Sequence, residues 1–480
     1  MNKTEGLKPE RVFHYFEELT KIPRCSFDEK RVSDYLKSVG EGLGLETIQD
    51  EALNIIIKKP ASKGYESKPT VIIQGHMDMV CDKSEGFDID FSKDPIPFEV
   101  RDGLIMAPNT TLGADNGIAV AMGLAILEDK TLEHPPLEVL ITTNEESGMT
   151  GAAQLDKRSL SGKILINIDS EEEGKLLVSC AGGKRFSIEF PLSYKDSEKP
   201  SYILKVSGLK GGHSGMEIDK GRGNSNRLLA RALDGLREID YDLCHIEGGS
   251  KSNVIPRLSS AIIGLADSDI EKAKVIVNEM EKCFKGELST SDPDVTLTLE
   301  RTKDREKAFE GSVKSRVIAA LLLVPNGVNS MSMDIEGLVE SSNNMGVIST
   351  LDDKVVVENA IRSSVKSLKD MLSRQMEIIA ESLGANWSSS GEYPAWQYRK
   401  DSYIRDLFAQ TYKEISGKEI EIEAIHAGLE CGLFYELLGD IDMVSLGPDM
   451  WGVHAPGERL SIDSVERTYN ILVEVLSKIN

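Results

Sequence analysis

The sequence predicts an α/β domain, a mixed sheet covered by helices on both faces, interrupted by an inserted α+β domain. Three observations carry this prediction. Nearly continuous apolar runs alternate with helical stretches through residues 1–189. The texture becomes glycine-rich and mixed over 190–396, and the α/β pattern returns over 397–480. Acidic and imidazole residues also recur just past the ends of the predicted strands.

Taken in order, Val12, Phe13, Phe16 and Leu19 share one helical face, as do Val32, Tyr35, Leu36 and Val39, so residues 10–47 predict two amphipathic helices. Runs at 54–57, 71–74, 137–142 and 164–168 lack alternation and predict strands buried on both faces. Ile118-Ala-Val-Ala-Met-Gly-Leu-Ala-Ile-Leu127 has the length and composition of a helix. Strands alternating with helices imply a sheet covered on both sides. The insertion contains helix-like and strand-like segments at 226–236, 268–284, 295–300, 312–323 and 356–383. That order suits ferredoxin-like lobes, and roughly 200 residues is about twice what one lobe needs, so a duplicated pair stays open. The tail predicts helices at 403–415, 429–438 and 461–479 and a strand at 443–446.

The chain has 480 residues, 40% hydrophobic and 28% charged, which gives ample material for a large core. A net charge of −23 argues against nucleic-acid partners and anionic membrane surfaces. No apolar run reaches the length of a membrane span, and the N-terminus lacks the apolar centre of a signal peptide. A cytoplasmic protein is expected. The six cysteines show no CxxC or finger spacing, and most are expected to be buried thiols.

The strand ends concentrate the chemistry. The 71–74 run leads to His76 and Asp78, the 137–142 run to Asn144-Glu145-Glu146-Ser147-Gly148, the 164–168 run to Asp169, and the 443–446 run through Gly447-Pro448 to His454. Asp115 precedes the Ile118 helix. In open α/β sheets, ligands bind beyond the carboxyl ends of the strands. Singly, each residue has a plain structural explanation: a satisfied histidine, a helix N-cap at Asp115, a solvated turn at Glu145-Glu146. Together those explanations leave carboxylates and a histidine unpaired near strand ends, where burial without partners is costly.

Gly75-His-Met-Asp78, Gly113-Ala-Asp-Asn-Gly117, Asn144-Glu-Glu-Ser-Gly148, Asp169, Gly211-Gly-His-Ser-Gly215, Ser252-Asn-Val-Ile-Pro-Arg257 and His454-Ala-Pro-Gly-Glu458 resemble the M20 family of dinuclear metallopeptidases in order and spacing. Asn167-Ile-Asp-Ser-Glu-Glu-Glu-Gly174 and His426-Ala-Gly-Leu-Glu-Cys-Gly432 resemble its aminoacyl-histidine (Xaa-His) dipeptidase branch. The resemblance implies a zinc-exopeptidase-like catalytic domain and a lid formed by the insertion. It implies that His76 and His454 ligate different metal ions, that Asp115 bridges them, and that Glu146 and Asp169 each complete one site. The ions expected are two Zn²⁺, with Co²⁺ or Mn²⁺ as alternatives. Asp78 would orient the His76 ring, and Glu145 would be the general base for a water held between the ions. The Asp115–Asn116 peptide is expected to be cis by the same resemblance. His213 would stabilise the oxyanion, Asn253 and Arg257 would hold the substrate, and Glu430, Glu458 and His426 are further candidate substrate contacts, the glutamates for a free amine.

The Gly208–Gly215 loop lacks the spacing of a phosphate cradle, so a nucleotide site is disfavoured. The expected activity is hydrolysis of dipeptides, Xaa-His among them. An aminoacylase acting on N-acyl amino acids and a non-catalytic binding protein of the same fold are the alternatives. A homodimer is expected, with a monomer carrying a duplicated lid as the other arrangement.

Overall fold

Val71–His76 and Leu137–Thr142 are parallel neighbours in which every residue is buried. In this computed structural model, which describes residues 3–480, Ile164–Asn167 and Asp442–Ser445 continue the parallel set. Strands this apolar need cover on both faces. The helix Ala114–Glu128, buried at nearly every position, packs on Val71–His76, and Tyr403–Ser416 packs on Asp442–Ser445. Glu46–Gln49 and Ile55–Lys59 extend one edge, Lys175–Cys180 and Glu421–Ile425 the other, giving an eight-stranded mixed sheet among the described residues. The four parallel strands present their carboxyl ends at one edge, so residues 76–78, 143–146, 168–169 and 446–454 all leave the sheet there.

The chain forms two compact units. The first runs to Ser179 and resumes over Tyr398–Ala424 and Leu429–Asn480; the second comprises Cys180–Gln397 and Ile425–Gly428. The boundary is expected after residue 189; in the structure the second unit begins at Cys180. Gly182–Pro191 pairs with Lys354–Ser363 and Asn386–Tyr393, both in the second unit, so it cannot close the first.

The second unit holds one antiparallel sheet built from two βαββαβ runs. The inner run is Ser201–Ser207, helix Ser225–Gly235, Asp242–Gly248, Ser259–Gly264, helix Ile270–Glu287 and Thr296–Arg301. The outer run is Gly182–Pro191, helix Gly311–Leu323, Val339–Thr350, Lys354–Ser363, helix Lys366–Ser382 and Asn386–Tyr393. In each run the fourth strand lies beside the first, then the third, then the second, which is the ferredoxin-like order. The inner run is inserted between the outer run's first strand and its helix. The two meet where Gly248 pairs with Ile348. One apolar core, with Phe186, Leu204, Leu229, Phe284, Val317 and Met376, serves both.

Cys25 and Cys81 form a disulfide, so buried thiols number three of the six cysteines where most are expected. The fold sets their Cα atoms 5.7 Å apart, within bridging distance. Cys180, Cys244 and Cys431 are buried and Cys283 is exposed.

Candidate metal centre

Asp115 is the centre of the site. Its Oδ1 lies 3.0 Å from His76 Nε2 and its Oδ2 lies 3.0 Å from His454 Nε2. His76 Nε2 is also 3.4 Å from Asp169 Oδ1, and His454 Nε2 is 2.9 Å from Glu146 Oε2. The arrangement is two half-sites, each with one imidazole and two carboxylates, sharing Asp115.

Local structure explains the convergence. Gly113 takes the left-handed conformation (φ +70°), and the Asp115–Asn116 peptide is cis, so the chain turns sharply before its helix begins. Asn116 Oδ1 accepts from the His76 N–H at 3.1 Å, and its Nδ2 donates to Ile168 O at 2.6 Å. One amide thus ties two strand ends to the helix start. Gly75 is needed for this approach, because a Cβ there would lie 2.4 Å from Asn116 Oδ1. His454 itself sits at a left-handed φ of 64°.

Asp78 is fully buried behind His76. Its Oδ1 is 3.3 Å from His76 Nδ1, and the His76 ring also meets the Asp78 carbonyl at 3.1 Å. Asp78 accepts from Ser26 Oγ (2.9 Å) and from the backbone N–H groups of Glu145 (3.1 Å) and Glu146 (3.3 Å). The carboxylate that fixes the His76 ring therefore also fixes the Glu145-Glu146 turn.

Charge in the cluster is unbalanced. Hydrogen bonds to Asp115 and Glu146 push the His454 pKa up to about 11. Burial pulls the His76 pKa down, but Asp169, Asp115 and Asp78 outweigh it and hold it well above the usual imidazole range. Burial raises Asp169 to about 6. Glu145 is raised well above the carboxylate range, first by burial and then by the charges of Asp169, Glu430 and Glu146 against the opposing pull of His76. Asp115 is lowered despite burial, because both histidines hydrogen-bond it.

The other expected residues have varied surroundings. Glu430 is wholly buried, accepting from Gln74 Nε2 at 2.6 Å and Thr142 Oγ1 at 2.7 Å, and burial pushes its pKa up to about 8. Glu458 is buried against backbone N–H groups. Both glutamates, expected as contacts for a substrate amine, are buried inside the unit, Glu430 with its Oε1 unpartnered and Glu458 on backbone N–H groups. Glu171, absent from the sequence-derived set, is exposed yet crowded on one side. That crowding and the charge of Asp115 push its pKa up to about 7.

In the second unit, Gly212–His213 pairs with Val254–Ile255, next to Asn253. His213 Nδ1 accepts from the N–H groups of Gly215 (3.3 Å) and Met216 (3.1 Å), which leaves the proton on Nε2. Burial and Arg362 lower its pKa, which favours the neutral ring. His426 is buried, bonds Ser342 Oγ at 2.7 Å, and is pushed down to about 3 by burial and Arg362. Asn253 and Arg257 are exposed. Arg362, also missed in the sequence, is nearly buried and donates to Tyr393 OH at 2.9 Å.

The family model described as peptidase family M20/M25/M40 matches residues 72–478. The chain belongs to this family. M20 peptidases are metal-dependent. The chain is 38% identical over 482 residues to the cytosol non-specific dipeptidase of Escherichia coli, covering 100% of this chain and 99% of that protein. The crystal structure of aminoacylhistidine dipeptidase from Vibrio alginolyticus superposes with a TM-score of 0.96 at 39% identity, covering 99% and 98% of the two chains. Aminopeptidase PepT from Bacillus cereus shares the M20 fold at 16% identity, with a TM-score of 0.57 and coverage of 98% and 99%.

The residues fit divalent cations. His76, Asp115 and Glu146 place ligand atoms within 4.8 Å of one another, and mixed imidazole and carboxylate donors suit Zn²⁺, Co²⁺ and Mn²⁺. A cation held by His76 and His454 would have to displace protons from them, because their pKa values are raised. Metal titration at pH 7 is therefore expected to release protons, and affinity to rise with pH up to about 11. Calorimetry in buffers of different ionisation enthalpy checks this; an enthalpy independent of buffer would refute it.

Proposed function

We propose that this chain is a cytoplasmic dinuclear metal-dependent dipeptidase of broad specificity that accepts Xaa-His dipeptides. The observation that carries the proposal is the pair of half-sites sharing Asp115, with Glu145 beside them. The relatives named as dipeptidases, one of them cytosolic, support the substrate class and location.

His76, Asp115 and Asp169 would hold one ion and His454, Asp115 and Glu146 the other. Two divalent ions, Zn²⁺ on this donor set, would polarise the scissile carbonyl and acidify the attacking water. Glu145 accepts the water's proton and passes it to the leaving amine; its raised pKa suits both halves of that transfer. Asp78 keeps His76 Nε2 turned to the cluster. From the second unit, His213 offers a neutral Nε2–H donor suited to an oxyanion. Asn253, Arg257 and His426 are the proposed substrate contacts, and Arg362, the guanidinium near both histidines, joins them for the terminal carboxylate. Glu171 is the exposed carboxylate beside the cluster that suits a free amine.

We also propose a homodimer. Gly327–Met331 is paired along one edge only among the described residues, and Val328, Met331 and Met333 are exposed around it.

Metal analysis with activity before and after chelation tests the reading: two ions per chain, loss on chelation, and recovery on metal return are expected. β-Alanyl-histidine and α-dipeptides should be cleaved in preference to N-acetyl amino acids. Full activity with one ion or none would refute the dinuclear site, and cleavage of acetyl compounds alone would replace dipeptidase by aminoacylase. A solution mass of one chain would refute the dimer.

A further inference from the structure

Glu458 closes the turn that carries His454 and is 2% exposed. Its carboxylate has no side-chain ion pair among the described residues. Instead it accepts four successive backbone N–H groups. Leu112 (2.6 Å) and Gly113 (3.0 Å) donate to Oε2, and Ala114 (2.8 Å) and Asp115 (3.3 Å) to Oε1. The last is the amide of the aspartate shared by both half-sites.

Arg24 grips the same segment through its carbonyls and is likewise 2% exposed. Its Nη2 donates to Gly113 O at 2.5 Å, and its Nη1 to the carbonyls of Met77 (3.0 Å) and Asp78 (3.2 Å). The segment is shaped around this guanidinium. A Cβ on Gly113 would lie 2.4 Å from Arg24 Nη2, and one on Gly117 would lie 2.6 Å from it. One cation therefore joins the loop after His76 to the loop before Asp115, and one anion joins that loop to the turn of His454.

Full charges buried on backbone groups carry a desolvation cost that neutral packing avoids. Here they connect the three loops whose side chains converge on the cluster, and Arg24 sets a positive charge beneath Asp78, Asp115 and Glu146. We infer that Arg24 and Glu458 are positioning residues, a buried cross-brace that sets the spacing of His76, Asp115 and His454 and hence the affinity of the two metal half-sites. The inference rests on the dinuclear reading above.

The test uses the full chain stripped by chelation. It is titrated with Zn²⁺ by calorimetry and with Co²⁺ by visible absorption, alongside the melting temperature of the metal-free protein. Glu458→Gln keeps the side chain's size but turns an amide toward N–H donors. It is expected to weaken metal binding about 10–100-fold, to alter the Co²⁺ spectrum, and to lower kcat more than it raises KM. The paired variant Arg24→Met/Glu458→Gln removes both buried charges, a change often neutral for stability. It is expected to recover the metal-free melting temperature but not the metal affinity. Native affinity and a native Co²⁺ spectrum in a folded paired variant would overturn the inference. A paired variant that does not fold would overturn it too, because the brace would then hold the fold and not the spacing. Uptake of fewer than two ions by the unaltered protein would instead refute the dinuclear reading, leaving the brace judged on the affinity of the single ion.

Discussion

Glu145→Gln is expected to lower kcat by about 10²–10⁴-fold, the usual worth of a positioned proton-transfer group, with metal content and melting temperature unchanged. The structure separates the two effects. The Glu145 backbone N–H is held by Asp78, while its side chain makes no contact with either histidine of the half-sites at hydrogen-bond distance. Substituting the side chain removes the proton acceptor and leaves the turn anchored. Burial raises the Glu145 pKa, so the deprotonated base is lost as pH falls through that raised value. The acidic limb of the kcat/KM profile should vanish in the variant together with the rate. Turnover within tenfold of the unaltered enzyme, or loss of metal in parallel with activity, would remove Glu145 from this role.

Asp115→Ala should take metal content from two ions to none and activity to background. Each of its oxygens faces a different imidazole, so no single change elsewhere strips both half-sites at once. His454→Ala is the matched comparison and should retain the ion at His76, Asp115 and Asp169. Asp115→Ala should also be visible without metal. Its hydrogen bond is the largest influence raising His454 to about 11, so NMR titration of the His454 ring in the chelated variant should show a lower pKa. Two ions retained by Asp115→Ala would refute the bridging assignment.

Much of the architecture was legible because its strands are buried on both faces. Val71–His76, Leu137–Thr142 and Ile164–Asn167 read as unbroken apolar runs, and the candidate ligand residues stand where those runs stop. What could not be read was which partners a group would find in space. Glu458 sits in a recognisable motif, yet nothing in that motif reveals that four backbone N–H groups occupy it. Arg24 lies in Ile-Pro-Arg-Cys, a segment with no signature, and acquires its role only because the fold brings Gly113 to it. Cys25 and Cys81 are 56 residues apart, with no spacing rule that pairs them. Gly182–Pro191 reads equally well as an edge of either unit until its ladder partners, more than 160 residues later in the chain, are known. Gly75 shows the reverse case: visible at once as a strand-ending glycine, but required for a close approach and not for a turn.

The place of Asp442–Ser445 between Ile164–Asn167 and Lys175–Cys180 matters for how the protein is born. A chain emerging from the ribosome exposes its early strands long before this interior strand exists, and domains form as their sequence becomes available. Everything up to Cys180 must wait with a gap in its sheet while the whole second unit is translated, and His454 follows only after the gap is filled. Interrupted translation products therefore lack the turn that sets His454 beside Asp115 and Glu146.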